Sequence, residues 1–159
     1  MIYLDTNAFY LFLFDDPKFF SGVKKVFEDI QKGKEEGLTS CLTLDELAYV
    51  VLMKLIEKKY AVHPSEKLRA NPEVVLEFIP KIKEVFGVIF SFDNLEIADA
   101  DGDLVAVIPE LMERLLLPRD GIHYQTMKAY DCKRIVSTDT DFDRLKDIER
   151  IKPEEYGLK

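Results

Sequence analysis

Met1-Ile-Tyr-Leu-Asp5-Thr-Asn7 opens the chain with a short apolar stretch that stops at a carboxylate. Four such residues bounded by a polar turn fit a buried strand better than a helix. Arg134-Ile-Val-Ser137 has the same form and is followed two residues later by Asp139. Between them, Gly37 to Cys41 and Gly87 to Phe92 are further strand candidates, and Asp147 to Ile151 can supply one more. The intervening segments carry helical spacing. Val23, Val26, Phe27 and Ile30 fall at i, i+3, i+4 and i+7; Leu44, Leu47, Ala48, Val51 and Leu55 mark a long helix; Val74 to Phe86 marks another. Ala61 to Pro72 reads as a polar excursion. An acidic loop, Asp99-Ala-Asp-Gly-Asp103, leads to a helix over Leu104 to Leu115, and Pro118 to Tyr130 to another. Short apolar strands alternating with helices predict an α/β fold, a parallel sheet with helices on both faces.

At 159 residues the chain suits one ordinary domain, 1–159, with a sizeable core. Its 47% hydrophobic and 33% charged content is that of a folded protein and excludes a disordered chain. No apolar run approaches the roughly 18 residues that span a bilayer. The first residues lack a basic region, and Asp5 breaks their apolar stretch, so no signal peptide is expected. Cys41 and Cys132 have no metal-type spacing and read as reduced core thiols, which points to the cytoplasm. A net charge of −8 excludes a general nucleic-acid coat but not an enzyme that cleaves RNA, because carboxylates that hold divalent cations themselves make a protein acidic.

In parallel sheets ligands bind outside the carboxyl ends of the strands. Four acids stand there: Asp5 after the first strand, Glu46 in the helix after the second, Asp120 at a helix start and Asp139 after the Arg134 strand. Taken singly, each is also a good helix-start residue, and Thr43 with Glu46 has capping-box spacing. As a converging set they repel one another, and a cation is the natural compensation. Oxygen ligands select hard ions such as Mg²⁺ or Mn²⁺, which can activate water and neutralise charge on a scissile phosphate. His63 and His123 are the only histidines, so no Ser/His/Asp or Cys/His set competes.

Four segments carry a family resemblance: Leu4-Asp5-Thr6-Asn7, Thr43-Leu-Asp-Glu46-Leu, Pro118-Arg119-Asp120-Gly-Ile-His and Ile135-Val-Ser-Thr-Asp139-Thr-Asp-Phe-Asp143. In that order they resemble the successive motifs of PIN domains, which include the VapC-like toxins of toxin–antitoxin pairs. Ile151-Lys-Pro-Glu-Glu is similar to the family's usual end. The resemblance implies a three-layer α/β/α fold and Mg²⁺- or Mn²⁺-dependent cleavage of single-stranded RNA. It implies Asp5 and Asp120 as principal metal ligands, Glu46 completing the cluster directly or through water, and Asp139 as the fourth acid, a role Asp141 could share. Asn7, Ser137 and Thr138 would be supporting hydrogen-bonding groups. An antitoxin protein and a homodimer are the implied partners. The stretch between Glu46 and Asp120 is longer than a minimal PIN domain requires.

Other residues carry weaker signals. His123 shares a helix face with Asp120 but is more simply a surface or boundary residue. Arg119 suits ion pairing with a neighbouring acid or an RNA phosphate. Lys24-Lys25, Lys58-Lys59 and Lys133-Arg134 are candidate RNA contacts, although such runs are usually solvated. Asp99, Asp101 and Asp103 lack the later ligands of a calcium loop. Phe9, Phe12, Phe14, Phe19 and Phe20 suit a core or an interface, and the apolar Phe9 to Phe14 stretch suggests a second subunit. A haloacid-dehalogenase phosphatase would need a second acid where Asn7 stands. A catalytically silent RNA-binding or interaction module is the other competing reading, and the complete acid set argues against it.

Overall fold

The computed structural model describes residues 1–14 and 17–157, and the side chain of Phe20 also lies outside the described set. The chain runs β1 (Ile2–Leu4), α1 (Thr6–Leu13), α2 (Phe20–Gln31), β2 (Gly37–Ser40), α3 (Cys41–Tyr60), α4 (Pro64–Ala70) and α5 (Val74–Ile89). It continues with β3 (Leu95–Ala98), α6 (Gly102–Ala106), α7 (Ile108–Met112), α8 (Pro118–Ala129), β4 (Arg134–Val136) and β5 (Glu149–Ile151), with 3₁₀ turns at Thr140–Arg144 and Pro153–Glu155. The five strands form one sheet in the order β3-β2-β1-β4-β5, and every pairing is parallel. Strand order reverses at β1, whose successor β2 lies on one side while β4 lies on the other. The crevice between β1 and β4 is therefore the expected ligand position.

Alternation within β1 builds both layers. Ile2 and Leu4 face one side, where they pack with Ala8, Phe9, Val23, Val26, Phe27, Ile30, Leu44, Leu47 and Val85. Tyr3 faces the other, with Leu38, Leu111, Leu116, Met127, Ile135 and Phe142. Helices on both faces make the three-layer α/β/α arrangement. A satellite cluster of Ile56, Val74 and Phe78 ties the far end of α3 to α5. The aromatics of α1 are consumed by this packing: Phe9 lies 5.3 Å from Phe27, and Phe12 stacks on Phe27 at 4.3 Å between ring centroids. Exposed apolar side chains lie elsewhere, with Leu76 and Phe90 at the two ends of α5 and Leu115 and Leu117 before α8.

Several elements differ from their sequence expectation. Gly87 to Phe92 is not a strand; α5 continues through Ile89 because Val85 and Ile89 extend its buried stripe, and the third strand is Leu95–Ala98. A short apolar run does not distinguish the two by periodicity alone. The polar excursion contains α4, which starts at Pro64. The helix expected over Leu104 to Leu115 is two short helices meeting at Val107. Cys41 is exposed rather than a core thiol, whereas Cys132 is buried, and both are free. No helix of the described residues is long and apolar enough to cross a membrane.

Two contacts close the sheet ends. Glu35 receives the Arg134 guanidinium on both carboxylate oxygens, at 2.9 and 2.8 Å, and the Met1 amino group at 2.9 Å. Burial disfavours the Glu35 anion, but these hydrogen bonds outweigh it and hold its carboxyl below the usual range. Gly22 of α2 lies against the C-terminal turn, where a Cβ would come within 1.7 Å of the Pro153 carbonyl oxygen.

Gly22→Ala should therefore lower stability by about 1–3 kcal/mol in denaturant unfolding, as overpacking does. Glu35→Gln should cost about 1–2 kcal/mol near neutral pH, a figure discounted for the half-exposed Arg134. Because the folded carboxyl titrates below the unfolded one, that contribution is complete above the ordinary glutamate range and vanishes as pH falls through the lowered value. Unfolding curves of the two chains should converge in acid; a difference that persists there would contradict the assignment.

Candidate functional site

Asp5 leaves β1 in extended conformation and caps α1, its Oδ1 accepting from the Ala8 amide at 2.9 Å. Its second oxygen accepts a short hydrogen bond from the Ser137 hydroxyl. Ser137, just past β4, also accepts from the Asp139 amide at 2.9 Å. One buried serine thus couples the turns that follow the two strands flanking the crevice. Arg150 braces this turn from β5: it donates to the Ser137 carbonyl at 3.1 Å and holds Asp143 through two nitrogens. Asp143 is thereby committed to a structural pair.

Asp139 caps the turn Thr140–Arg144 by accepting from the Asp141 amide at 2.9 Å. Asp120 lies in the first turn of α8, after Pro118. Asp120, Asp139 and Asp141 each offer a carboxylate oxygen within 4.8 Å of the others. Asp5 is fully enclosed, and burial pushes its carboxyl up to about 6 against the hydrogen bonds of Ser137 and Ala8; the nearby Asp139 adds to the rise. Asp120 is pushed the same way, by burial and then by Asp139, Asp141 and Glu46. This donor set fits a hard divalent cation: its ligands are all carboxylate oxygens, Asp120 comes from α8 while Asp139 and Asp141 come from the turn after β4, and their mutual repulsion is what a cation relieves. Asp5 and Asp139 line a cavity of about 500 Å³ together with Thr6, Asn7, Glu46, Val50, Leu117, Arg119, Asp120 and His123. Thr138 is half-buried in the same turn.

Glu46 lines the same cavity and has partners of its own. Its oxygens meet Arg119 Nη1 at 2.8 Å, Thr6 Oγ1 at 2.6 Å and His123 Nε2 at 3.4 Å. Burial raises its carboxyl, but bonds from His123 and Thr6, with the His123 and Arg119 charges, bring it down to about 2. Glu46 does not close a capping box with Thr43. Helix α3 begins directly after β2, so Ser40 is the cap and accepts from the Thr43 amide at 3.3 Å. His123 is buried rather than a boundary residue, and its Nδ1 lies 2.8 Å from the Tyr3 hydroxyl.

The structure thus brings Asp120, Asp139 and Asp141 together, links Asp5 to the Asp139 turn through Ser137, and places Glu46 in the same cavity on partners of its own; Asn7 lines that cavity. Sequence reasoning missed Thr6 and undervalued His123; their motif neighbours Asp5 and Asp120 were the available signal. The basic pairs are largely spent on acids: Lys25 on Asp29, Lys59 on Glu77, Lys133 on Asp131 and Arg134 on Glu35.

The chain is 23% identical over 129 residues to ribonuclease VapC2 of Methanocaldococcus jannaschii, covering 80% of each. Its fold is similar to that of Mycobacterium tuberculosis VapC20, described as a sarcin-ricin loop cleaving toxin, with a TM-score of 0.61 and 15% identity over 94% of this chain and 98% of that one. It is also similar to a chain of the Rickettsia felis VapBC2 complex bound to a promoter DNA fragment, with a TM-score of 0.56 and 16% identity over 95% of this chain and 98% of that one. The model of the PIN domain matches residues 2–148, nearly the whole of the sheet and every acid of the crevice, and the chain belongs to that family.

Proposed function

We propose that the protein is an endoribonuclease, one domain over residues 1–159, that hydrolyses phosphodiester bonds of single-stranded RNA with Mg²⁺ or Mn²⁺ and serves as the toxin of a toxin–antitoxin pair. The observation that carries this reading is the convergence of Asp120, Asp139 and Asp141 within 4.8 Å, beside the buried Asp5 at the point where strand order reverses. Asp5, Asp120, Asp139 and Asp141 would hold the cation. When bound, it would lower the pKa of water and offset charge on the scissile phosphate. The residues around it do the positioning. Ser137 fixes Asp5 and the Asp139 turn in one piece, so two ligand-bearing strand ends move together. Arg150 keeps Asp143 and the Ser137 carbonyl occupied and the turn in shape. Glu46 lines the cavity on partners of its own, and Asn7, exposed there, offers an amide to substrate or water.

A silent module would have no use for three carboxylates held so close with a buried fourth linked to them. The kinship with ribonuclease VapC2 and the fold shared with VapC20 support the choice of RNA and of a toxin role. A homodimer belongs to this reading, with the exposed Leu76 and Phe90 of α5 as apolar surface to be covered.

Asp5→Asn, Asp120→Asn and Asp139→Asn should each abolish Mn²⁺-dependent cleavage of a mixed RNA pool while leaving circular dichroism unchanged. Retention of full activity in any of them would remove that residue from the site. In thermal unfolding, Mn²⁺ at 100 times its dissociation constant should stabilise the native chain by about 2.7 kcal/mol. That shift should be lost in Asp120→Asn, whose metal-free melting temperature should be no lower than that of the native chain, because a repelling charge has gone. Light scattering after size exclusion should report a dimer, and a monomer throughout the micromolar range would remove the dimer.

A further inference from the structure

The pocket is lined by acids, yet the substrate it is assigned is itself an anion. Among the described residues lining it, Arg119 is the one lysine or arginine. We propose that Arg119 is the residue that grips an RNA phosphate beside the scissile bond, and that Tyr3, His123 and Glu46 form a buried column whose task is to aim it. This rests on the ribonuclease reading above and names a contact that reading leaves open.

Arg119 is 63% exposed at its side chain, whereas Glu46 and His123 are at 9% and 4%. A long, exposed arginine ordinarily samples many conformers, and an exposed ion pair gains little from holding one. Here the anion is not free to follow it. Thr6 holds Glu46 Oε2, His123 lies against the same oxygen, and Tyr3 holds His123 from within the core. Only Oε1 is left for the guanidinium, at 2.8 Å from Nη1. One nitrogen is therefore anchored, and the remaining N–H groups of the fork, on a side chain that lines the cavity, have no described protein partner. A guanidinium used on one edge keeps the other for a phosphate, to which its planar fork is matched.

The position fits the chemistry. Arg119 precedes Asp120 directly, so the cation stands next to a ligand of the proposed metal on the first turn of α8. Leu117 supplies that helix with no side-chain cap, which leaves its first amides open to the same anion. Glu46 is then an anion that serves the cation rather than the metal. Its oxygens are taken by Thr6, His123 and Arg119.

The test measures binding by the full chain of a fluorescein-labelled, mixed-sequence 12-nucleotide single-stranded RNA, using anisotropy in Ca²⁺ across a salt series. Arg119→Gln should weaken binding about 10-fold. It should also lower the slope of log affinity against log salt by about 0.7, one phosphate contact on a single strand. Arg119→Lys should keep the slope and recover part of the affinity, since it retains charge without the fork. Glu46→Gln, which frees the guanidinium without removing it, should weaken binding by a smaller factor with the slope kept. Equal affinity and slope in native protein and Arg119→Gln would overturn the proposal, as would native protein that fails to bind this RNA. Cleavage in Mn²⁺ is scored separately: binding with the expected slope but without cleavage sinks the nuclease reading alone, and cleavage unaffected by Arg119→Gln sinks this one alone.

Discussion

Carboxylates gathered where β1 and β4 end repel one another, and the surrounding structure is arranged to tolerate that repulsion. Asp5 is enclosed by protein and pushed up to about 6, so the fold alone does not make its anion comfortable. Donors are supplied at three of the acids: the Ala8 amide and Ser137 for Asp5, the Asp141 amide for Asp139, and the Arg144 guanidinium for Asp141 at 3.0 Å. The neutral donors hold Asp5 and Asp139 in place without cancelling their charge. A site that is rigid but electrostatically unsatisfied is one prepared for a cation, because organisation precedes binding and the ligand supplies the missing charge.

Another acid of the cavity solves the same problem by a different route. Glu46 sits near the others, yet its carboxyl is held at about 2 by protein donors and a guanidinium. Two acids in one cavity thus have opposite tendencies, Asp5 toward the proton and Glu46 away from it. The difference lies in their partners. Asp5 is bonded by neutral donors, and His123 helps it less than they do, whereas Glu46 is paired directly with Arg119 and His123. Division of the acids into a cation-seeking group and a self-compensated one follows from that placement.

Much of this was legible in the residues. β1, β2, β4 and β5 stand within the segments where strands are expected, and Asp5 and Asp139 meet because a parallel sheet carries strand ends to one edge, with Asp120 brought to Asp139 by the start of α8. What was hidden involves contacts between remote segments with strong local readings of their own. Thr43 and Glu46 have the spacing of a capping box, but β2 passes into α3 without a loop, so Ser40 takes the cap and Glu46 is released into the crevice. Val88-Ile89-Phe90 has the look of a strand, and only the packing of Val85 and Ile89 against the sheet makes the segment helical. The true edge strand carries Glu96 in its middle, which interrupts the apolar signal. His123 cannot be recognised as buried from its own helix, because Tyr3 and Glu46, which enclose it, come from β1 and α3.

An acidic protein that acts on an acidic polymer must obtain its attraction locally. With a net charge of −8, the long-range field opposes approach of RNA. At physiological salt the Debye length is about 8 Å, so that field is screened beyond the immediate surface. Within that distance the balance is set by individual groups. The basic pairs of α2, α3 and β4 are engaged with acids and add little. A cation bound among Asp120, Asp139 and Asp141 would make that part of the crevice attractive to phosphate, and Arg119, held on Glu46 one residue before Asp120, adds a positive group beside it. A backbone entering there would meet both at a spacing set by the protein. Repulsion everywhere else would then favour the strand that is threaded through the crevice over one that merely lies on the surface.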